Sequence, residues 1–337
     1  MLTIGVVGYG HWGPSIVRNF CSIPGVTVAS VCDIEQRALY QVKKNYEGMH
    51  VTRDCNDIIN SSKIDAVAII TPVSTHYEIA KKALLSGKHI FVGKPFTAST
   101  EQAEELIELA DKKNLIIMVD HTFLFCGAVK KIKQLIDDDV LGDLYYFDSI
   151  RINLGLFQKD VNVVWDLAPH DLSIMHHLIG KDPVGLATTG ISHFNDDIEN
   201  VAYMTVYFPG NLIAHLNISW LSPVNIRTTL IGGHKKMIVW NDLVADEKIR
   251  VYDRGVENGN GLNHENLNTQ RTNYRMGDMW SPWFEDVDAL RCEAEYFVEC
   301  VDKNKKPIND GANGLRVVKM LESSVKSLKM GGEVIYL

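Results

Sequence analysis

The sequence has no excess of positive charge and no long apolar run. It carries 34 Lys and Arg residues against 42 Asp and Glu residues, which gives a formal net charge of -8 at pH 7. Nucleic acids and anionic membrane surfaces are bound by basic faces, so we expect neither as a partner. No apolar run approaches the ~20 residues that a membrane span requires, and no signal peptide precedes the first predicted strand. These absences favour a cytoplasmic protein.

Cysteine is sparse and shows no metal-binding spacing. The 6 Cys residues include no Cys-x-x-Cys pair, and most of them lie in apolar stretches. We therefore expect reduced core thiols, and we find no convincing set of His and acidic residues for a metal ion. Internal repeats and low-complexity tracts are also absent. With 337 residues, 46% of them hydrophobic, the chain predicts a globular protein of two domains.

A glycine motif follows the first apolar run. Gly8, Gly10 and Gly13 form the pattern Gly-x-Gly-x-x-Gly between a strand-like segment and a helix-like one. In such a motif the first glycine permits a tight turn, the second lets the backbone approach a pyrophosphate, and the third allows close packing of helix on strand. The N–H groups at the start of the helix face the phosphates. The motif predicts dinucleotide binding.

An acidic residue ends the second predicted strand. Asp33 directly follows the strand-like run 26–32 and lies 20 residues after Gly13. A carboxylate at this point accepts the ribose hydroxyls of adenosine and repels a 2′-phosphate, so we expect NAD in preference to NADP. Arg37 lies close by in the sequence and could pair with a 2′-phosphate, so some use of NADP stays open. The alternative is that Asp33 only starts the next helix.

Strand-like and helix-like segments alternate from residue 1 to about residue 120. This alternation predicts a parallel, doubly wound sheet whose ligands bind beyond the carboxyl ends of the strands. The pattern then changes to mostly antiparallel strands, with a helix over 166–177 and a long surface loop over 253–282. We predict an α/β protein with an N-terminal Rossmann domain at residues 1–121. The C-terminal domain, residues 122–337, is predicted to be α+β with a large, mostly antiparallel open sheet.

Asp166 and His170 stand four residues apart in an otherwise apolar segment. On a helix this spacing places both side chains on one face, where the acid can orient the imidazole, so one interpretation is a proton-transfer pair. The other interpretation is a helix start. Asp166 would then cap the first turn, Pro169 would sit where its missing N–H is harmless, and His170 would only be packed.

Five motifs in this order resemble those of the glucose-fructose oxidoreductase, inositol 2-dehydrogenase and MocA family. They are the glycine motif, Asp33, Thr71-Pro72, Lys94-Pro95, and Asp166 with His170. The resemblance covers essentially the whole chain. It implies a Rossmann domain that binds the dinucleotide and a C-terminal sheet that carries a sugar or cyclitol and supports oligomerisation. Since two predicted strands of that sheet, 201–208 and 212–220, are apolar on both faces, we expect a homodimer or homotetramer.

The resemblance also implies residue roles. Lys94, Asp166 and His170 would be catalytic, with the histidine usually the general base; whether Lys94 or His170 takes the proton stays open. Family members usually carry Glu-Lys-Pro, whereas Gly93 replaces the Glu in this chain. The predicted substrate-binding residues are Lys94, Asn153, Asp166 and His170. The predicted cofactor-binding residues are Gly8, Gly10, His11, Trp12, Gly13, Asp33, Arg37, Thr71, Pro72, His76, Gly93, Lys94 and His121.

The segment 153–171 looks most like that of members that work on nucleotide-linked sugars. We therefore expect NAD-dependent oxidation of a secondary hydroxyl of a sugar or nucleotide sugar. The best candidate substrate is a UDP-N-acetylhexosamine or its uronate, oxidised at C3. An aminotransferase would be a suitable downstream partner that consumes the ketone. Three alternatives are an NAD-retaining glycoside hydrolase, an inositol or free-sugar dehydrogenase, and a non-catalytic dinucleotide-binding regulator. Basic residues that could hold a diphosphate are Arg151, Lys159, Arg227, Arg271 and Arg275.

Overall fold

A computed structural model of the chain describes residues 1–155, 157–158, 160–194, 198–258 and 272–337. The chain divides into two compact units. Unit 1 consists of Met1–Cys126 and Val287–Glu322, and unit 2 consists of Gly127–Asp286 and Ser323–Leu337. The sequence suggested a single boundary at 121/122, whereas each unit in the structure combines two separate stretches of the chain.

Unit 1, all of which is described, contains a six-stranded parallel sheet with the strand order β3-β2-β1-β4-β5-β6. This is the order of the doubly wound dinucleotide-binding fold, and it confirms the predicted fold class of the N-terminal part. The strands are β1 (Leu2–Val7), β2 (Val26–Cys32), β3 (His50–Thr52), β4 (Ala66–Ile69), β5 (His89–Val92) and β6 (Ile117–Val119). The crossovers contain α1 (Gly13–Ser22), α2 (Gln36–Asn45), α3 (Asn56–Ile59), α4 (Val73–Leu85) and α5 (Thr100–Lys113).

The described part of unit 2 contains a nine-stranded sheet. The strand order is β14-β13-β12-β11-β7-β10-β9-β8-β15, and only β7 and β10 pair in parallel, so the sheet is mostly antiparallel as predicted. Its helices are α6 (Gly127–Asp137) and α7 (Val163–Ile179). Its strands are β7 (Leu144–Leu154), β8 (Gly185–Ile191), β9 (Val201–Tyr207), β10 (Ile213–Ser219), β11 (Leu221–Gly233), β12 (Met237–Asn241), β13 (Ile249–Asn258), β14 (Thr272–Trp280) and β15 (Ile335–Tyr336).

The described residues of the segment predicted as a long loop over 253–282 are instead mostly β-strand, in 253–258 and 272–280. Strands β13 and β14 pair antiparallel with each other, and β13 also pairs with β12. Strand β13 begins with two buried apolar residues, Ile249 and Val251, but its later residues and most of β14 are polar, so the apolar alternation that identifies a half-buried strand is short. Their backbone hydrogen bonds to neighbouring strands decide the structure. Residues 259–271 lie outside the described residues.

Two helices lie between β14 and β15 in the sequence: α8 (Ala289–Asp302) and α9 (Gly311–Lys329). Phe297 of α8 packs in the core of unit 1, with its ring centroid 6.0 Å from that of Phe20 and 5.7 Å from that of Phe91. This aromatic cluster explains why residues 287–322 belong to unit 1. Among the helices in the described part of the chain, none combines the length and apolar character needed to cross a membrane.

Candidate active site

The glycine loop has the geometry that its sequence pattern predicts. Gly8 follows β1 with a φ of +99°, and a Cβ there would lie 2.2 Å from the carbonyl oxygen of Ile70. A Cβ on Gly13 would lie 2.7 Å from the carbonyl oxygen of Gly8, because helix and strand approach closely at this point. At Gly10 a Cβ would meet no atom within 4 Å. The space above Gly10 is therefore open to a pyrophosphate, and the loop fits a dinucleotide.

The start of α1 faces this open space with its N–H groups. Trp12 is the N-cap residue, but its side chain makes no capping hydrogen bond, and Pro14 occupies the first turn. The side chains of His11 and Trp12 are exposed and pack edge to face, with centroids 5.2 Å apart. An uncapped helix N-terminus carries partial positive charge and attracts phosphate oxygens. His11 and Trp12 stay predicted cofactor ligands at this position.

Asp33 is held in a fixed orientation at the end of β2. Its Oδ2 accepts a hydrogen bond from the backbone N–H of Tyr9 at 2.6 Å, and its Oδ1 accepts one from that of Glu35 at 2.8 Å. Each carboxylate oxygen retains a further lone pair for a ribose hydroxyl. Next to it lies a groove of ≈ 380 Å³, and Arg37 lines this groove together with Tyr9 and Pro14. This arrangement fits the adenosine end of NAD.

The segment that carries Lys94 is tied to the start of α4 through His76. The ring of His76 is buried, with Nδ1 2.9 Å from the carbonyl oxygen of Pro95 and Nε2 2.7 Å from that of Thr71. Burial lowers the pKa of His76, and the carbonyl contacts act in the opposite direction. A neutral imidazole has one N–H and donates to one of the two carbonyls at a time. His76 thus positions the backbone at Pro95, next to Lys94, and at Thr71, and its effect on a cofactor would be indirect.

Gly93 leaves room for a side chain. A Cβ at this position would lie 3.5 Å from the carbonyl oxygen of Ile69 and 3.7 Å from Cε1 of His76, both ordinary contacts. The backbone of unit 1 therefore does not require a glycine between β5 and Lys94. Steric crowding therefore does not explain why this chain has Gly93 where family members usually carry Glu. Thr71 and Pro72, at the neighbouring strand end, lie between β4 and α4.

His121 lies beyond the end of β6 in a fully buried position. Neither of its ring nitrogens has a hydrogen-bond partner within the described ranges of the chain. Burial, and secondly the charge of Lys94, lowers the pKa of His121 to about 3. The ring is therefore neutral at physiological pH and lies near enough to Lys94, which the resemblance makes catalytic, to be affected by its charge.

The backbone of His121 is held by a hydrogen bond to a buried acidic residue, Glu293. Oε1 of Glu293 accepts a hydrogen bond from the N–H of His121 at 3.0 Å and one from Nδ2 of Asn309 at 2.8 Å. Burial and the nearby Asp120 carboxyl raise the pKa of Glu293 well above its ordinary value. Helix α8 thus fixes the end of β6 through Glu293.

In unit 2, Asp166 and His170 lie one turn apart on α7, both partly buried. The helix begins at Val163, and its N-cap is Asn162, whose Oδ1 accepts a hydrogen bond from the N–H of Trp165 at 3.1 Å. The interpretation of Asp166 as the helix cap is therefore wrong, and Pro169 lies inside the helix. The pair stays the predicted proton-transfer pair.

The orientation of Asp166 is set by Trp220. Its Oδ2 accepts a hydrogen bond of 2.9 Å from the indole Nε1 of Trp220, which lies between β10 and β11. The other predicted substrate ligand, Asn153, lies near the end of β7. Its Oδ1 is buried and makes no hydrogen bond to any residue that the structure describes.

The three described basic residues expected to hold a diphosphate each pair with an acidic residue. Arg151 forms a buried pair with Asp171, with Nε 2.7 Å from Oδ2 and Nη2 3.0 Å from Oδ1. This pairing corrects the expectation of a phosphate ligand, because the guanidinium serves the interior. The part-exposed Arg227 lies 3.4 Å from Asp242, and the part-exposed Arg275 lies 2.8 Å from Asp253. Lys159 and Arg271 lie outside the described residues.

Sequence reasoning missed Trp220 and Glu293. A buried indole N–H generally needs a hydrogen-bond acceptor. The sequence does not show which residue accepts from Trp220, because Asp166 lies 54 residues away. Glu293 lies one helical turn before Phe297, so it shares the face of α8 that enters the core, and this spacing could have identified it. In the described part of the chain, no group of three or more His, Cys, Asp and Glu residues could hold a metal ion.

The fold of unit 1 and its glycine loop define a dinucleotide-binding protein. A family model described as an oxidoreductase family with an NAD-binding Rossmann fold matches residues 2–121, and the model of the GFO/IDH/MocA C-terminal domain matches residues 129–239. The chain belongs to the GFO/IDH/MocA family of oxidoreductases. The predictions of family, fold class and NAD as cofactor are thereby confirmed.

Relatives of the chain have different substrates. It is 26% identical over 326 residues to a UDP-N-acetylglucosamine 3-dehydrogenase from Acidithiobacillus ferrooxidans, covering 93% of each chain. It is 24% identical over 321 residues to a scyllo-inositol 2-dehydrogenase (NAD⁺) from Bacillus subtilis, covering 90% of this chain and 87% of that one. A solved structure of the Acidithiobacillus enzyme superposes with a TM-score of 0.80 at 23% identity, covering 98% of each chain. The structural likeness shows the fold.

Proposed function

We propose that the protein oxidises a secondary hydroxyl of a nucleotide-linked sugar. The best candidate substrate is a UDP-N-acetylhexosamine or its uronate, oxidised at C3. The observation that carries this proposal is the end-to-end similarity to a UDP-N-acetylglucosamine 3-dehydrogenase. The chain has Lys94, Asp166 and His170 at the positions that the family resemblance makes catalytic. Asp166 is also fixed by Trp220, as a residue that orients a proton-transfer group should be.

The chemistry requires a base at the substrate hydroxyl. Bound NAD⁺ supplies the acceptor for the hydride that leaves the carbinol carbon. Loss of hydride alone would leave positive charge on that carbon, so the hydroxyl proton must leave as well and a ketone results. His170 can take this proton, with Asp166 balancing the imidazolium charge that forms. Lys94 supplies a cation that stabilises the developing negative charge on oxygen.

The products are the ketone, NADH and one proton, and the equilibrium is unfavourable near neutral pH. We propose that a ketone-consuming reaction such as that of an aminotransferase draws the oxidation forward in the cytoplasm. A second candidate is oxidation of a free cyclitol or sugar. The similarity to the scyllo-inositol dehydrogenase over most of both chains favours it.

The test is NADH formation, followed by absorbance, with four substrates supplied separately. These are UDP-N-acetylglucosamine, its uronate, free glucose and myo-inositol, each assayed with an amine donor and an aminotransferase as a trap. We expect turnover with a UDP-sugar and little with the free compounds. Turnover of only glucose or inositol would refute the nucleotide-sugar proposal and support the second candidate.

A further inference from the structure

Trp220 makes hydrogen bonds to three separate segments of unit 2. Its indole is 1% exposed and donates from Nε1 to Oδ2 of Asp166. Its backbone N–H donates to the carbonyl oxygen of Asn200 at 2.9 Å, and its carbonyl oxygen accepts from the N–H of Gly155 at 3.0 Å. The segment after β7, the segment before β9 and helix α7 are therefore all fixed to one residue beside the predicted catalytic acid.

Two phenylalanines project from the segments that Trp220 holds. We call Phe157 and Phe194 the aromatic pair; Phe157 is 41% exposed and Phe194 is 66% exposed. Their ring centroids lie 5.4 Å apart in an edge-to-face arrangement, and the ring of Phe157 lies 5.6 Å from that of Trp220. Two adjacent, exposed phenylalanines, one of them in contact with the tryptophan that holds the predicted catalytic acid, form an apolar surface of the kind that ligands cover.

The aromatic pair is held in place by polar contacts in its own segments. Nδ1 of His193, the residue before Phe194, lies 2.7 Å from Oδ1 of Asn200. Glu199 links the same segment to α7, because its carbonyl oxygen accepts from the N–H of Val163 at 2.9 Å and its Oε2 accepts from Asn162 at 2.8 Å. These contacts fix the chain next to Phe194, and the rings contact each other and Trp220, so less conformational entropy is lost when a ligand binds them.

Gly155 allows the first of these segments to pass directly over the indole. A Cβ at Gly155 would lie 2.9 Å from Cδ1 of Trp220 and 3.0 Å from Oδ1 of Asn153. A side chain at this position would push the segment away from Trp220. The close approach of Gly155 therefore helps to set the position of Phe157.

We infer that the aromatic pair is the base-binding subsite of a nucleoside diphosphate sugar. This inference rests on the proposed function, in which the sugar ring lies at Asp166 and His170. The indole of Trp220 donates to Asp166 and also contacts the ring of Phe157, so the aromatic pair is one side chain removed from the predicted catalytic acid, where the part of the substrate next to the reacting ring would lie. A planar base has a π-face that stacks on aromatic side chains, and each such contact contributes about 5- to 150-fold in affinity.

The test is calorimetric titration of the full-length protein with UDP, which requires no catalysis. We expect Phe157→Leu and Phe194→Leu each to weaken UDP binding by about 5- to 150-fold, since leucine keeps an apolar side chain but removes the π-face. Phe194→Tyr should retain wild-type affinity. Pyrophosphate, which has no base, should bind all variants equally. Trp283→Leu, which alters an exposed aromatic residue outside the pair, is the matched control.

Equal UDP affinity in the wild type and both leucine variants would overturn the inference, as would failure of UDP to bind the wild type. So would variants that raise the KM for a free sugar without changing UDP affinity, because the aromatic pair would then hold the sugar ring. Loss of UDP binding in the leucine variants, in a protein that oxidises no UDP-sugar, would retain the subsite and refute only the proposed reaction. Unchanged melting temperatures exclude misfolding as the cause.

Discussion

Arg151 and Asp171 form a bidentate ion pair inside unit 2, with nitrogen–oxygen distances of 2.7 Å and 3.0 Å. Arg151 is 8% exposed and Asp171 is 2% exposed, and the hydroxyl of Ser149 donates a third hydrogen bond to Asp171 at 3.0 Å. Because Arg151 lies on β7 and Asp171 follows His170 on α7, the pair fixes the helix to the sheet beside the predicted base.

Replacement of one member of this pair should strongly destabilise unit 2. Asp171→Leu leaves a buried guanidinium without its carboxylate, and we expect a loss of about 3–5 kcal/mol in the free energy of unfolding, measured with urea. Arg151→Met combined with Asp171→Leu should recover most of the loss. Lys303→Ala, which breaks an exposed pair with Glu299 on α8, should change stability by no more than about 0.5 kcal/mol. If Asp171→Leu is as stable as this control, the buried pair does not have the role assigned to it.

Asp33 should determine the choice between NADH and NADPH. Wild-type protein should bind NADH at least about tenfold more tightly, because a carboxylate facing a 2′-phosphate costs several kcal/mol. Asp33→Ser should narrow this ratio, whereas Glu47→Gln, at an exposed acid after α2, should not. Fluorescence titration with both cofactors measures the ratio. Equal affinities in the wild type would contradict the role of Asp33.

Replacement of Lys94 or His170 should lower the turnover rate. Lys94→Ala and His170→Ala should each lower kcat by about 10²- to 10⁴-fold, because each removes a group that acts on the substrate hydroxyl. The melting temperature should stay nearly unchanged in both variants. NADH affinity should stay nearly unchanged in His170→Ala, since His170 is not among the predicted cofactor ligands. A His170 variant that folds poorly, yet retains full activity per folded molecule, would show that this residue only packs the helix.

His121 should make the protein sensitive to acid. The unfolded chain binds a proton at this residue below about pH 6.5, whereas in the native state the pKa is lowered to about 3. The free energy of unfolding should therefore decrease as the pH falls from about 6.5 toward 3, by up to ~1.4 kcal/mol per pH unit. Urea unfolding at several pH values should give a shallower dependence for His121→Gln. The control His215→Gln, at an exposed histidine, should follow the wild type; identical curves for all three proteins would refute the expectation.

Unit 2 should mediate assembly into a homodimer or homotetramer. Tyr203 of β9 is 46% exposed and Ile213 of β10 is 43% exposed, while their neighbours Met204 and Ala214 are buried. An antiparallel sheet with apolar residues on both faces is stabilised when a second layer covers it. Tyr203→Lys with Ile213→Lys should shift the protein toward monomer in light scattering. A wild type that is monomeric at micromolar concentration would count against this assembly.

Local patterns predicted the first unit well and the second less well. The turn at Gly8, the approach at Gly10 and the position of Asp33 follow from spacings within about 30 residues, where the chain itself imposes the geometry. The hydrogen bond from Trp220 to Asp166 and the packing of Phe297 on Phe20 join residues that are distant in sequence, and no periodicity encodes them. The polar strands β13 and β14 were missed because their structure depends on neighbouring strands.

The parallel pairing of β7 with β10 also bears on how unit 2 folds. Ile213 lies opposite Tyr146 in this pair, 213 − 146 = 67 residues later in the chain. Helix α7 and strands β8 and β9 lie within that loop, and α7 packs against β7, β9 and β10. Closing a loop of this size is entropically costly and slow compared with forming a hairpin. The helix that carries Asp166 and His170 packs against both strands of this pair, so its full set of contacts forms only when the long loop closes. A slow step in the folding of unit 2 would therefore also delay the appearance of activity.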